Sequence, residues 1–209
     1  MMTLVVGALA ACLATTPSVD PDSAARALYG QGQTFKEFLA AATARRDGWL
    51  RLRDSAVVSP ALIQRARAVG GSWQFLVVAI DRCGDSMNSV PYLAALADSV
   101  PSVSLRIVPP TTGRPVQEGY RSLDGRTATP TIVLLGADGR AAGCIVELPR
   151  ELRDWSHAAR TRKVPLDSIH EHQRGWYASN RGVGISTELV ELLEAASSGT
   201  PSCARGRAP

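Results

Sequence analysis

The feature that most constrains this chain is a short apolar segment, residues 75–80, followed at once by the polar sequence DRCGDS. Glycines flank the segment on both sides and it is rich in β-branched residues, so we expect a buried strand. Residues 87–100 then place Val90, Leu93 and Leu96 at helical spacing, which predicts a helix. Cys83 therefore lies where the carboxyl end of a strand turns into a helix N-terminus, the usual place for chemistry in an open α/β sheet.

The composition is that of an ordinary globular protein, with 209 residues of which 45% are hydrophobic and 20% charged. This length fits one well-packed domain with elaborations rather than two full domains. The net charge of +4 is mild and the arginines are scattered, so we expect no nucleic-acid partner.

The four cysteines show no framework spacing and no C-x-x-C pair, and the three histidines form no metal set, so we predict no disulfide scaffold, no metal and no cofactor. The cysteines are Cys12, Cys83, Cys144 and Cys203.

The N-terminal segment, residues 1–33, is interpreted as a signal or lipoprotein segment with a linker. Residues 3–14 are apolar but shorter than the roughly 20 residues that a transmembrane helix needs. The sequence LAAC at 9–12 has the pattern of a lipoprotein signal, yet no positive charge precedes it. Two localisations stay open: cytoplasmic, or exported and anchored to a membrane by a lipid on Cys12.

The rest of the chain predicts strands and helices in the order β-α-β-α-β-β-α, with two helices in front. Residues 34–53 are predicted as one helix, since Thr34 and Glu37 can form a capping box. Ser59 and Pro60 begin the next helix. Strands are predicted to begin at Trp73 and to span 103–108, 131–135 and 142–148, and later helices span 115–120, 150–160, 169–179 and 186–196. The tail at 198–209 is small, polar and basic, so we expect it to be disordered.

The sequence CGDS at 83–86, followed by NSVPYL at 88–93, resembles bacterial thioredoxin-family proteins that carry a WCGDC active site before an N-x-V-P-x-L helix. The leading helices of that family are matched at Trp49-Leu50 and 59–63, its strand entry at Thr129-Pro130, and its closing segment at 175–193. The resemblance covers about residues 34–196. It implies a thioredoxin-like α/β fold over residues 34–197, with a four-stranded mixed sheet flanked by helices and extra helices at both ends.

Two positions depart from the family pattern: Arg82 replaces its tryptophan, and Ser86 replaces its second active-site cysteine. A thiolate at a helix N-terminus is stabilised by unpaired backbone N–H groups. Arg82 favours the same charged form, whereas Asp85 opposes it. Cys83 is thus the predicted nucleophile, and Ser86 is predicted to donate a hydrogen bond to it.

The resemblance also implies a substrate groove beside the thiol. Thr129-Pro130 fits the family's cis-proline loop, in which Pro130 shapes the groove and Thr129 presents its backbone to the substrate. Arg82, Gly84 and Asp85 are expected to line the same groove. The expected partner is a protein or a low-molecular-weight thiol or disulfide.

Several alternatives remain open. With Ser86 in place of a resolving cysteine, release of a bound substrate needs a low-molecular-weight thiol, Cys203 on the tail, or Cys144, which is otherwise a small buried hydrophobe. The function is therefore either monothiol disulfide exchange, which would make the protein an oxidoreductase, or binding of a protein partner by a redox-inactive domain. Monothiol glutaredoxins share C-G-x-S, but their glutathione-binding segments have no counterpart here.

The remaining polar and aromatic candidates are assigned lesser roles. Asp81 and Asp85 are expected either to relay protons to the sulfur or to cap the helix. Trp155, Trp176 and Tyr177 are expected in the core of the C-terminal helices.

Overall fold

The computed structural model describes residues 20–203, in which nine helices cover a five-stranded mixed sheet. The helices before the sheet are α1 (Pro21–Tyr29), α2 (Phe35–Ala41), α3 (Arg46–Ser55) and α4 (Pro60–Val69). The central part contains β1 (Trp73–Val78), α5 (Gly84–Ser99), β2 (Val103–Val108), α6 (Pro110–Gly119), β3 (Thr131–Leu135) and β4 (Ala141–Val146). The chain continues with α7 (Arg150–Thr161), α8 (Leu166–Asn180), α9 (Val183–Ser197) and β5 (Ser202–Cys203). The predicted α/β class is confirmed.

The strand order in the sheet is β2-β1-β3-β4-β5. Strands β1 and β2 pair in parallel, as a strand–helix–strand unit through α5 requires. Strand β3 runs antiparallel to β1, and β4 returns beside β3 as a hairpin. Because of this order, the carboxyl end of β1 and the start of β3 meet at the same edge of the sheet, with Val78 opposite Thr131.

Both faces of the sheet are buried, which explains why residues 75–78 of β1 are continuously apolar rather than alternating. Phe75 and Val77 face a core built with α2, α3, α4, α5 and α9. Leu76 and Val78 face the opposite core, which α1 and α6 supply. The end of the sheet where β1 meets β3 is therefore packed from both sides.

The sheet has a fifth strand, so the prediction of four strands was one short, and the tail is not disordered throughout as predicted. Ser202–Cys203 pairs in parallel with β4, which places Cys203 opposite Cys144. Their Cα atoms lie 4.6 Å apart, within the range that a disulfide spans, and the two sulfurs are bonded. The interpretations of Cys144 as a small buried hydrophobe and of Cys203 as a thiol on the tail are corrected, since the fold brings together two residues 59 positions apart and bonds them.

The single helix predicted at 34–53 is wrong, because the chain forms two helices with a break at 42–45. The capping box of Thr34 and Glu37 is confirmed at the start of α2. At the break, the Asp81 carboxylate accepts hydrogen bonds of 2.8 Å from the backbone N–H groups of Thr43 and Ala44. A long-range partner thus takes the donors that a continuous helix would pair internally.

Other boundaries differ near the chain ends. The linker expected within residues 1–33 overlaps α1, whose first turn is capped by the Asp20 carboxylate at 2.9 Å from the Ser23 N–H. Helix α9 begins three residues before the predicted start at 186, and Ser186 lies buried inside the helix. Of the helices in the described part of the chain, none combines the length and apolarity that a bilayer span requires. The lipoprotein pattern at Cys12 and residues 204–209 of the tail lie outside the described residues.

Candidate functional site

Cys83 is the N-cap residue of α5, five residues beyond the end of β1. Its sulfur accepts a hydrogen bond from the Ser86 backbone N–H at 3.4 Å. Its thiol donates to the Thr129 carbonyl oxygen at 3.1 Å. The side chain is half-buried, and within residues 20–203 Cys83 is the one cysteine outside a disulfide. The sulfur thus lies between a helix N-terminus and the loop that precedes β3, open in part to solvent.

The loop opposite the sulfur is fixed by its own hydrogen bonds, and its Thr129–Pro130 peptide bond is cis. The Ala128 carbonyl accepts from the Gln117 side-chain amide at 2.7 Å and from the Thr131 hydroxyl at 2.8 Å. The Pro130 carbonyl accepts the Glu147 backbone N–H at 2.8 Å. Bonds from α6, β3 and the end of β4 therefore hold the Thr129 carbonyl beside Cys83.

Ser86 donates to the sulfur through its backbone and not through its hydroxyl. The side chain is fully buried, and its oxygen has no hydrogen-bond partner among the described residues. The predicted donor role is thus corrected: any residue other than proline at this position would present the same N–H group.

Arg82 is exposed, and its carbonyl oxygen accepts a hydrogen bond from the Arg45 guanidinium at 2.7 Å. Arg45 lies at the break between α2 and α3, where its backbone is left-handed with a φ of 53°. The cation before Cys83 is thus joined by a second cation that the sequence interpretation did not include. Only the break in the helix, which depends on Asp81, brings Arg45 to this edge.

Asp85, in the first turn of α5, accepts a hydrogen bond from the Tyr177 hydroxyl at 3.1 Å. Burial, with a smaller contribution from the Glu147 carboxylate, raises the pKa of Asp85 to about 6. The Tyr177 hydroxyl and the more distant Arg160 and Arg45 cations act in the opposite direction. Burial, and next the Asp85 charge, raise the pKa of Tyr177 well above its ordinary value.

Tyr177 is a residue of the candidate site that the sequence interpretation placed wrongly, since it was assigned to the helical core. It is half-buried, and α8 carries its hydroxyl to the first turn of α5. The W-Y pair at 176–177 was visible in the resemblance, but nothing in the sequence shows which element an aromatic hydroxyl will reach.

Glu147 is a second residue of the site that the sequence did not reveal. Its backbone is left-handed with a φ of 67°, and its carboxylate pairs with Arg126 at 3.1 Å and Arg160 at 3.4 Å. A charged cluster therefore lies at the end of β4, where the Glu147 carboxylate acts electrostatically on Asp85.

Asp81 does not face the sulfur as a proton relay, because its carboxylate is engaged by the α2–α3 break. The Ala44 N–H, and then the N–H and hydroxyl of Thr43, lower the pKa of Asp81. Its carbonyl oxygen also accepts the indole N–H of buried Trp49 at 2.8 Å. Asp81 thus positions α3 against the strand end.

A strand, a cysteine at the following helix N-terminus and a facing cis-proline loop form the arrangement that the sequence resemblance implied. A family model described as thioredoxin matches residues 32–161, more than half of the chain. The chain belongs to the thioredoxin family. The match to the thioredoxin family ends at the last residue of α7, so α8 and α9 lie beyond it.

Solved structures with the same thioredoxin-like fold include two at low sequence identity. One is a protein of unknown function from Pseudomonas aeruginosa, 20% identical with a TM-score of 0.62. The other is an HIV epitope scaffold, 19% identical with a TM-score of 0.63. Each alignment covers 81% of this chain and 96% of the other, so the shared fold includes helices beyond the family match. None of the curated proteins matches the chain.

Proposed function

We propose that this thioredoxin-family protein performs monothiol disulfide exchange, with Cys83 as the nucleophile and a thiol from outside the chain as the resolving group. The observation that supports this most strongly is the position of the Cys83 sulfur, which is half-exposed and lies between the Ser86 N–H and the Thr129 carbonyl. The resemblance to the WCGDC-type subfamily supports the same assignment for the variant CGDS sequence.

The first step is attack of the Cys83 thiolate on one sulfur of a substrate disulfide. A bond forms between Cys83 and that sulfur, and the other substrate sulfur leaves as a thiolate with the electron pair. The helix N-terminus stabilises the attacking thiolate, and the Cys83 proton passes to solvent. Once ionised, Cys83 no longer donates a hydrogen bond to the Thr129 carbonyl. That carbonyl is then available to an extended substrate beside Pro130.

The second step requires an external thiol, since no other thiol of the described residues is available. Ser86 occupies the position of a resolving cysteine, and Cys144 and Cys203 are bonded to one another. The external thiolate attacks the substrate sulfur of the mixed disulfide, and Cys83 leaves as a thiolate with the electron pair. The external thiol is oxidised into a new disulfide with the substrate.

A disulfide-linked peptide dimer tests this proposal. Incubation with excess dimer is expected to add one peptide to Cys83, detected by intact mass, and the adduct should persist after the dimer is removed. Addition of 2-mercaptoethanol should then release the peptide. Cys83→Ala is the matched control and should show no adduct.

Failure of native protein to form the adduct, while unfolded protein forms it readily, would refute the proposal. In that case the redox-inactive alternative makes its own prediction, since Cys83→Ala would then bind partner peptides as well as the parent protein does.

A further inference from the structure

A groove of about 690 Å³ runs beside the first turns of α5, between α3 and the end of α8. We call it the α3–α8 groove; the lining residues used below are Asn88, Tyr92, Arg174, Tyr177 and Arg181. Its volume lies within the roughly 300–1,000 Å³ typical of small-molecule sites.

The α3–α8 groove is joined to the site of Cys83 by two hydrogen bonds. The Asn88 side-chain amide donates to the Gly84 carbonyl at 2.8 Å, and Gly84 directly follows Cys83. The Tyr177 hydroxyl donates to Asp85. Asn88 stands five residues beyond Cys83, which corresponds to about 7.5 Å along the helix axis. A thiol compound with the length of an extended tripeptide, about 10 Å, spans that axial distance.

The charge of the groove is positive, because Arg174 and Arg181 line it and no carboxylate does. Within residues 20–203, neither arginine forms an ion pair. Arg181 acts electrostatically on the Tyr92 hydroxyl, which places its charge at the groove wall. Arg174 lies on α8 and Arg181 is the C-cap residue of that helix, so both charges belong to its C-terminal half.

The opposite end of α3 has the same charge character. A smaller cleft of about 420 Å³ there is lined by Arg45, Arg46 and Arg51, with Asp47 as its one carboxylate. Arg45 also binds the Arg82 carbonyl beside Cys83, so cations lie near both ends of α3 and favour an anionic molecule over a neutral or cationic one.

Building on the function proposed above, we infer that the α3–α8 groove binds the external thiol, and that this thiol is a low-molecular-weight compound bearing more than one carboxylate. Arg174 and Arg181 bind the carboxylates, while Asn88 and Tyr177 border the path to the sulfur. The bound thiolate then attacks the substrate sulfur of the mixed disulfide, forms a disulfide with the substrate, and leaves the electron pair on Cys83.

Glutathione and its diethyl ester are suitable probes, because they share one thiol and differ in carboxylate charge. For each probe, we would measure the rate at which it releases a peptide from Cys83. Dividing by the rate at which the probe releases the same peptide from a mixed disulfide with a free cysteine peptide gives the corrected rate. The corrected rate of glutathione should exceed that of the ester about three- to tenfold, since two exposed ion pairs contribute modestly. R174Q/R181Q should reduce the ratio to about one. R26Q/R140Q removes the same charge at the opposite end of the sheet and should leave the ratio unchanged.

A second measurement separates this inference from the proposed exchange. S-methylglutathione cannot react, so its binding to Cys83→Ala is independent of any redox step, and NMR should show shifts at Asn88 and Tyr177. These shifts should be lost in Cys83→Ala with R174Q/R181Q. Equal corrected rates for both probes, or absent binding of S-methylglutathione, would overturn the inference. Absence of any Cys83 adduct, with binding intact, would instead refute the proposed exchange.

Discussion

The Tyr177 hydroxyl donates a hydrogen bond of 3.1 Å to the Asp85 carboxylate, joining two residues 92 positions apart. Asp85 stands two residues after Cys83, and Tyr177 lies in α8, beyond the part of the chain that matches the family model. The C-terminal helices therefore contribute directly to the candidate site. The pair also links the titration of a carboxyl group to the packing of α8.

Replacing Tyr177 with phenylalanine removes this donor and leaves the ring. Because the hydrogen bond stabilises the carboxylate, we expect the pKa of Asp85 to rise above its present value of about 6. The variant should lose about 1–2 kcal/mol of unfolding free energy at pH 8 and less at pH 5. Carbon-13 NMR titration of Asp85 and urea denaturation at the two pH values measure both effects. Tyr92→Phe is the control, and an equal loss for Tyr177→Phe at both pH values would contradict the coupling.

Asp85→Asn tests the pH dependence that burial imposes. The pKa of Asp85 is about 6 in the folded protein, above its ordinary value of 3.8, so the folded state binds the proton more tightly. The stability contributed by the protonated carboxyl is complete below about pH 4 and is lost as the pH rises through 6. The unfolding free energy of the variant relative to the parent should therefore increase by about 2–3 kcal/mol between pH 4 and pH 7.5.

Asp81→Asn is the control of opposite sign for that measurement. Hydrogen bonds from Ala44 and Thr43 lower the pKa of Asp81, so its carboxylate stabilises the fold at neutral pH and loses that effect as the pH falls. The unfolding free energy of the variant should fall furthest below that of the parent protein at neutral pH. If the unfolding free energies of Asp85→Asn and of the parent protein change with pH in parallel, burial does not raise the pKa of Asp85.

The sequence predicted the fold class and the position of Cys83 at a helix N-terminus because both depend on local patterns. The apolar run of β1, the helical spacing after Cys83 and the Ser59-Pro60 helix start are short-range features, and the structure has all three. The α2–α3 break could not be predicted in the same way. It depends on the Asp81 carboxylate, which is 37 residues from Ala44 in the chain.

Long-range geometry also decides the parts of the site that sequence left out. From the pattern of its own helix, Tyr177 is predicted to be a core residue. Its hydroxyl reaches Asp85 only because α8 packs beside the first turn of α5. The bond between Cys144 and Cys203 depends on a two-residue strand whose register the tail sequence does not show. Patterns within one element predict that element, whereas contacts between elements need the assembled structure.

The Cys144–Cys203 disulfide should contribute substantially to stability because it closes a segment of 59 residues. Chain-entropy reasoning gives about 4 kcal/mol for a loop of this length, and measured values are commonly about 2–4 kcal/mol. We expect the double variant Cys144→Ala, Cys203→Ala to lose this amount in urea denaturation under non-reducing conditions. Cys83→Ala should lose much less, and a double variant as stable as the parent would show that β5 contributes little.

Ser86→Ala tests whether the backbone or the hydroxyl acts on the sulfur. The Ser86 N–H donates to Cys83, while its hydroxyl is buried without a partner among the described residues. The rate of Cys83 alkylation by iodoacetamide should therefore change less than about twofold in this variant, since the donor remains. A fall of tenfold or more would assign the activation of the thiol to the hydroxyl group.

Ser86→Cys places a second thiol next to Cys83 and should supply the missing resolving group. We expect the variant to form a disulfide between positions 83 and 86, and to reduce insulin in a coupled assay where the parent protein does not. Ser86→Ala is again the matched control. Formation of the new disulfide without any reductase activity would indicate that the thiol at Cys83 is accessible but that the groove no longer accepts a protein substrate.

The central claim is that Cys83 begins disulfide exchange and that a thiol from outside the chain completes it. Its most direct test is the rate of peptide release from the Cys83 mixed disulfide at increasing concentrations of external thiol. The account predicts a rate that rises in proportion to the thiol and extrapolates to zero without it, and a non-zero intercept for Ser86→Cys. A non-zero intercept in the parent protein would contradict the claim, because the chain would then resolve the mixed disulfide by itself.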